Sequence, residues 1–170
     1  MSRIIVCPLH DVSGLVQINR PSHVVSLMSP TADLDIGLAD GQGEHLDLRF
    51  NDINQPQDGL LAPSENHIRA YLDFLDRWDG SAPLLIHCWA GVSRSPAAAY
   101  IAAVVRHGIG SEHDIALTLR AKAPYATPNR RMIEIADNLL QRQSAMIVAV
   151  DAIGRGSDTA WGSSFSLSGR

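Results

Sequence analysis

Residues 87–95 read His-Cys-Trp-Ala-Gly-Val-Ser-Arg-Ser and follow the apolar run Leu84-Leu85-Ile86. A short apolar run bounded by turn residues is a buried strand. Ser95-Pro96, followed by Ala97, Ala98, Ala99, Tyr100, Ile101, Ala102, Ala103, Val104 and Val105, reads as a buried helix, with Ser as N-cap and Pro at its first position. Cys88 therefore opens a tight loop between a strand end and a helix N-terminus, and Arg94 closes it. Backbone N–H groups of such a loop converge on one point, where the helix dipole adds positive potential. That point suits a tetrahedral dianion, and a thiol beneath it is favoured as thiolate. A thiolate under an amide cradle with a two-pronged guanidinium on the rim is equipment for phosphoryl transfer.

The rest of the chain must position that loop. Ile4-Ile5-Val6-Cys7 reads as a first strand, and Leu15, Val16 and Ile18 as a short helix ended before Pro21. His23–Met28 is a second strand, residues 31–43 a loop with at most a turn of helix, and His45–Phe50 a third strand with one covered face. Residues 51–63 form a long loop of functional length. A helix begins at Ser64, with Ile68, Tyr71, Leu72, Leu75 and Trp78 on one face, and ends at Gly80. Ser111-Glu112-His113-Asp114 resembles a capping box. Thr127-Pro128 starts the last clear helix, which Ala145–Val150 prolongs or packs against. Strands alternating with helices predict an α/β fold, a mainly parallel sheet flanked by helices on both faces. A single domain over 1–153 is expected, with a tail, 154–170, either packed through Trp161 and Phe165 or disordered.

Composition narrows the function. The 170 residues are 45% hydrophobic and 19% charged, with a net charge of −4. No basic field suggests nucleic acid or an anionic membrane as partner. No apolar run approaches a membrane span, and the N-terminus lacks a signal-peptide pattern. Cys7 and Cys88, the two cysteines, make no disulfide framework, and Cys7 reads as a buried strand residue. A catalytic thiol needs a reducing compartment, so a cytoplasmic location is expected. No metal-ligand spacing is present, and no cofactor is expected.

His87, Cys88, Gly91, Arg94 and Ser95 together match the signature loop of the cysteine-dependent protein tyrosine phosphatases, and the chain resembles the small bacterial members of that superfamily. The resemblance is specific over residues 45–107 and looser elsewhere. It implies a phosphocysteine mechanism: Cys88 as nucleophile, Arg94 as oxyanion clamp, and Trp89, Ala90, Gly91, Val92, Ser93 and Arg94 as the phosphate cradle. His87 would orient the loop, and Ser95 would assist the departing sulfur. A leaving oxygen needs a proton, and family members carry an Asp on a mobile loop some tens of residues before the Cys. Asp52, just past the third strand, is favoured, with Asp58 in the same loop as the alternative. Pro128-Asn129 matches the family position where Asn supports the signature loop. The implied partner is a phosphorylated protein or a small phosphomonoester. No segment matches the tyrosine-clamping loop of the receptor-type enzymes, so phosphotyrosine and dual specificity both stay open. Absence of Lys from the loop disfavours highly phosphorylated inositols. Two rival readings are a rhodanese-like sulfurtransferase and a catalytically inactive phosphate-binding module.

Overall fold

The computed structural model describes residues 2–39 and 41–169. In chain order the elements are β1 (Arg3–Pro8), α1 (Leu9–Asn19), β2 (His23–Met28), β3 (Glu44–Arg49), α2 (Glu65–Arg77), β4 (Leu84–Cys88), α3 (Arg94–His107), α4 (Glu112–Lys122), α5 (Arg130–Leu139), α6 (Ala145–Ile153) and β5 (Phe165–Ser168). The sheet order is β3-β2-β4-β1-β5. β1, β2, β3 and β4 run parallel, in the register Ile5↔Leu85 and Val24↔Leu85. β5 pairs antiparallel with β1, Ile4 opposite Leu167. The architecture is thus α/β with helices on both faces, as the alternating pattern predicts, but the sheet is mixed. Phe165 and Leu167 alternate with Ser166 and Ser168 and turn toward the main core, but the alternation is only four residues long and becomes a strand because β1 offers its edge.

The central position of β4 explains its composition. All five residues, Leu84 to Cys88, are buried, because helices cover the sheet on both sides. One face packs against α2 to α6 in the main core, which includes Ile4, Val6, Val25, Leu27, Leu84 and Ile86. The other carries a smaller core of Ile5, Cys7, Val12, Val16, Val24, Ile36 and Leu85 beneath α1. α3 is buried from Arg94 to Val104. Its alanines at 97, 98, 99, 102 and 103 let the helix lie close to its neighbours. The Tyr71 hydroxyl donates to the Ala98 carbonyl at 2.7 Å, tying α2 to it.

Several boundaries differ from the sequence reading. α1 begins directly after β1 and runs 11 residues, not the short piece near Leu15, since Val12 and Val16 already form its buried stripe. Residues 31–39 and 41–43 hold turns but no helix. α3 begins at Arg94 with Ser93 at the N-cap, so Ser95 lies inside the first turn and is not the cap. Pro96 falls within that turn, where its missing N–H has no intrahelical partner to lose. The capping box at Ser111 does not form. Ser111 Oγ donates back to the Gly108 carbonyl at 2.7 Å, and Glu112 Oε2 accepts from Gly110 N at 2.8 Å. The last predicted helix starts at Arg130, not at Thr127, with Asn129 Oδ1 accepting from Met132 N at 3.0 Å as its cap. α6 is a separate helix. Its start is fixed by Asp137, whose two carboxylate oxygens accept from Ser144 N at 2.8 Å and Met146 N at 3.0 Å. Among the described residues no helix is long and apolar enough to cross a membrane.

Residues 154–164 lie against the body. Arg120 Nη2 donates to the Gly154 carbonyl at 2.7 Å, Gly156 N to Thr127 Oγ1 at 3.0 Å, and Ser164 Oγ to Asp11 Oδ2 at 2.6 Å. The segment then enters β5.

Candidate active site

The parallel strands end on one side of the sheet, at Pro8, Met28, Arg49 and Cys88. Such a rim is where α/β sheets bind ligands. Cys88, the last residue of β4, is buried, and its Sγ lies 3.1 Å from Ser95 Oγ. Gly91 N donates to the same sulfur at 3.3 Å. Gly91 has φ +73, and a Cβ there would stand 2.9 Å from Pro8 N, so only glycine fits.

The loop after Cys88 is held from outside by its carbonyls. Leu9 N donates to Trp89 O at 3.1 Å, Gly162 N to Ala90 O at 2.8 Å, Thr127 N to Val92 O at 2.9 Å, and Asn129 N to Ser93 O at 3.3 Å. In a trans peptide the C=O and the next N–H point in opposite directions. Four carbonyls turned outward therefore turn the N–H groups of Ala90, Gly91, Ser93 and Arg94 inward. Donors from α1, the segment after α6 and the loop before α5 thus build one amide nest.

Arg94 is buried across this nest. Its Nη1 donates to the Phe50 carbonyl at 2.9 Å and reaches Ser29 Oγ at 3.4 Å. Buried Nε has no partner among the described residues. The guanidinium is thus braced by one prong, and the edge carrying Nε is open to grip an oxyanion. Met28, Ser29, Ala32, Asp52 and the loop line a cavity of about 270 Å³ over Cys88.

Asp52 stands on the rim of that cavity. Its Oδ1 accepts from Ser93 Oγ and from Asn129 Nδ2, each at 2.8 Å. Asn129 thereby joins three elements: it caps α5, holds the signature loop through its amide N–H, and pins Asp52. Asp58 sits in an exposed turn and does not line the cavity. Of the residues singled out from sequence, Cys88, Arg94, Asp52, Ser93, Ser95, Gly91 and Asn129 come together, while Asp58 stays apart.

His87 points to the opposite side of β4 from its neighbour Cys88. Its Nε2 is 2.6 Å from Ser26 Oγ, which is 2.8 Å from His45 Nε2. A hydroxyl has one proton to give, so one imidazole must accept from Ser26 and the other donate to it. Ser26 and His45 escaped the sequence reading. A lone Ser inside the wholly buried strand His23–Met28 was the available signal. Burial pushes the His87 imidazole down to about 4, and burial also lowers His45. An unfolded His titrates near 6.5. Below that pH the unfolded chain binds a proton that the folded one refuses, so this group's stabilisation declines as pH falls from about 6.5 toward about 4. The His87 ring resonances should stay flat between about pH 7 and 5 in an NMR titration. Movement near 6.5 would remove the neutral pair.

Cys7 belongs to the minor core, on the other face of the sheet from Cys88. Burial, reinforced by Asp11, raises its thiol well above the ordinary range, so Cys7 is an inert core residue. At the mouth, half-exposed Trp89 faces Trp161, their ring centroids 6.0 Å apart, and Trp161 meets His10 edge-on at 5.1 Å.

No family model matches the sequence, and no curated protein aligns with it significantly. Solved structures do share its fold. DUSP15 superposes with a TM-score of 0.58 at 19% identity over 90% of this chain and 94% of its own. Tk-PTP, solved in its active form, gives 0.59 at 20% identity over 84% and 94%. PTPMT1 in complex with PI(5)P gives 0.59 at 15% identity over 86% and 94%. The chain therefore has the fold of the cysteine-dependent tyrosine and dual-specificity phosphatases.

Proposed function

We propose that the chain is a cysteine-based phosphomonoesterase acting on aryl phosphates, phosphotyrosine in a protein above all. The observation that carries this reading is the nest: inward amides, a sulfur at its floor and the unpartnered edge of Arg94 meet in one cavity. In the first step Cys88 Sγ attacks phosphorus. An S–P bond forms, the P–O ester bond breaks, and Asp52 gives its proton to the departing oxygen. Because Oδ1 is held by Ser93 and Asn129, the proton resides on Oδ2. Arg94 and the amides hold the charge on the equatorial oxygens. In the second step water attacks the phosphocysteine, Asp52 takes its proton, and the S–P bond breaks. The Ser95 hydroxyl, 3.1 Å from the sulfur, supports it as it leaves. Half-exposed Trp89 lines the cavity and supplies an apolar surface there, which favours an aromatic leaving group.

Release of phosphate from an aryl phosphate, blocked by tungstate and passing through a phosphocysteine trapped by acid quench, tests the proposal. Sulfur transfer from thiosulfate to cyanide would instead identify a sulfurtransferase. Tungstate binding without turnover would identify a binding module.

The acid is tested separately. Asp52→Asn keeps an acceptor for Ser93 and Asn129, so the loop stays in place while the proton is lost. On a poor leaving group kcat should fall by about two to three orders of magnitude. On an activated aryl phosphate the loss should nearly vanish, because that oxygen leaves unprotonated. Asp58→Asn should show neither effect. Leaving-group dependence appearing in Asp58→Asn alone would move the role to that carboxylate.

A further inference from the structure

We infer that the segment 154–164 is a working part of the active site, latching the Ala90–Gly91 peptide so that the Gly91 N–H faces the Cys88 sulfur. The inference rests on the phosphatase reading, since it assigns a positioning role within that site. Gly162 N donates to Ala90 O at 2.8 Å. The same peptide, on its other side, donates Gly91 N–H to Cys88 Sγ at 3.3 Å. At Gly91, with φ +73, the peptide before a glycine can turn over at little steric cost, because no Cβ opposes either orientation. An external donor is then what selects the orientation. Among the described residues, Gly162 N is the donor that reaches Ala90 O.

The fit is close on both sides of the latch. A Cβ on Gly162 would stand 2.8 Å from Gly91 O and 2.5 Å from the Tyr125 ring. The backbone of Gly162 is outside the left-handed region, so alanine there tests the contact and not the chain's conformation. The Tyr125 hydroxyl donates to the Ser163 carbonyl, clamping the strap at the next residue. The strap is thus pressed onto the outer wall of the loop while the sulfur occupies the inner one.

The test compares Gly162→Ala and Tyr125→Phe with the unaltered protein, near-UV circular dichroism reporting the fold. Two readouts need no turnover: the midpoint of the pH profile of Cys88 alkylation by iodoacetate, compared between variant and unaltered protein, and the affinity for tungstate. Gly162→Ala should move the midpoint upward by about one pH unit and lower the affinity by about tenfold, the scale of one lost hydrogen bond to a charged group. Tyr125→Phe adds no bulk and should move the midpoint upward by about half a unit and lower the affinity by about threefold. A folded Gly162→Ala with the wild-type midpoint and affinity overturns the latch. If Gly162→Ala does not fold, Tyr125→Phe decides, and wild-type values there overturn it. Failure of the unaltered protein to bind tungstate counts against the phosphatase reading itself, and so is distinguishable.

Discussion

Cys88→Ser should lose turnover by about ten-thousandfold while binding phosphate or tungstate no more weakly than the unaltered protein. The hydroxyl is a poor nucleophile at neutral pH, and the loss is on the scale of deleting a nucleophile elsewhere. Binding survives for a separate reason. The nest is held chiefly from outside: Gly91 N donates to the sulfur, a contact a serine hydroxyl can also accept, while the loop carbonyls are tied to Leu9, Gly162, Thr127 and Asn129 and Arg94 is braced by Phe50. Removing a thiolate also removes a negative charge from beside a dianion, so affinity is expected to hold or rise. Single-turnover kinetics and tungstate titration check the two halves. Residual turnover above about a tenth of wild type is incompatible with a covalent mechanism, whose lost nucleophile must cost several kcal/mol of barrier. Because the serine form binds without reacting, it is also the form with which to capture the natural substrate.

Arg94→Lys should be nearly as damaging as Arg94→Ala, each costing about a thousandfold or more in kcat/KM. In the proposed mechanism the guanidinium does two tasks at once. Nη1 is committed to Phe50 O at 2.9 Å, which fixes the plane of the group, and the opposite edge serves the oxyanion. An ammonium offers a point charge and cannot present a planar pair of donors while anchored behind. If the Lys variant keeps near-normal kcat, Arg94 acts only as a charge.

The parts of the site legible in the sequence share one property: they lie within one short loop, or one residue's chemistry announces them. Cys88, Gly91, Arg94 and Ser95 follow from local spacing, and β4 from its unbroken apolar run. Asp52 is reached from its place just past β3, whose end must meet the same rim. What the sequence concealed is non-local and carried by backbone. No residue type marks Leu9, Thr127 or Gly162 as a donor to the loop, since each acts through its N–H, a group that every residue but proline owns. β5 is concealed for a related reason: its Phe-Ser-Leu-Ser alternation spans only four residues, and its pairing with β1 is decided by an open edge more than 150 residues away in sequence. Of the two readings of Ser95, the cap falls instead to Ser93, although Ser before Pro is a common cap, while the Ser95 hydroxyl lies 3.1 Å from the sulfur. The Trp89–Trp161 pair likewise joins distant segments.

The placement of the two cysteines on opposite faces of the sheet sets how such a site meets peroxide. A thiolate at Cys88 that is converted to a sulfenic acid finds no second thiol of its own chain within reach, because Cys7 is walled off beneath α1. Condensation to an internal disulfide is therefore closed, and a sulfur left uncapped under continued exposure goes on to the sulfinic state, which does not return. What remains to protect it is a small thiol entering the cavity or cyclisation onto a neighbouring backbone nitrogen. A bound oxyanion, by covering the sulfur, then protects the protein for as long as it stays.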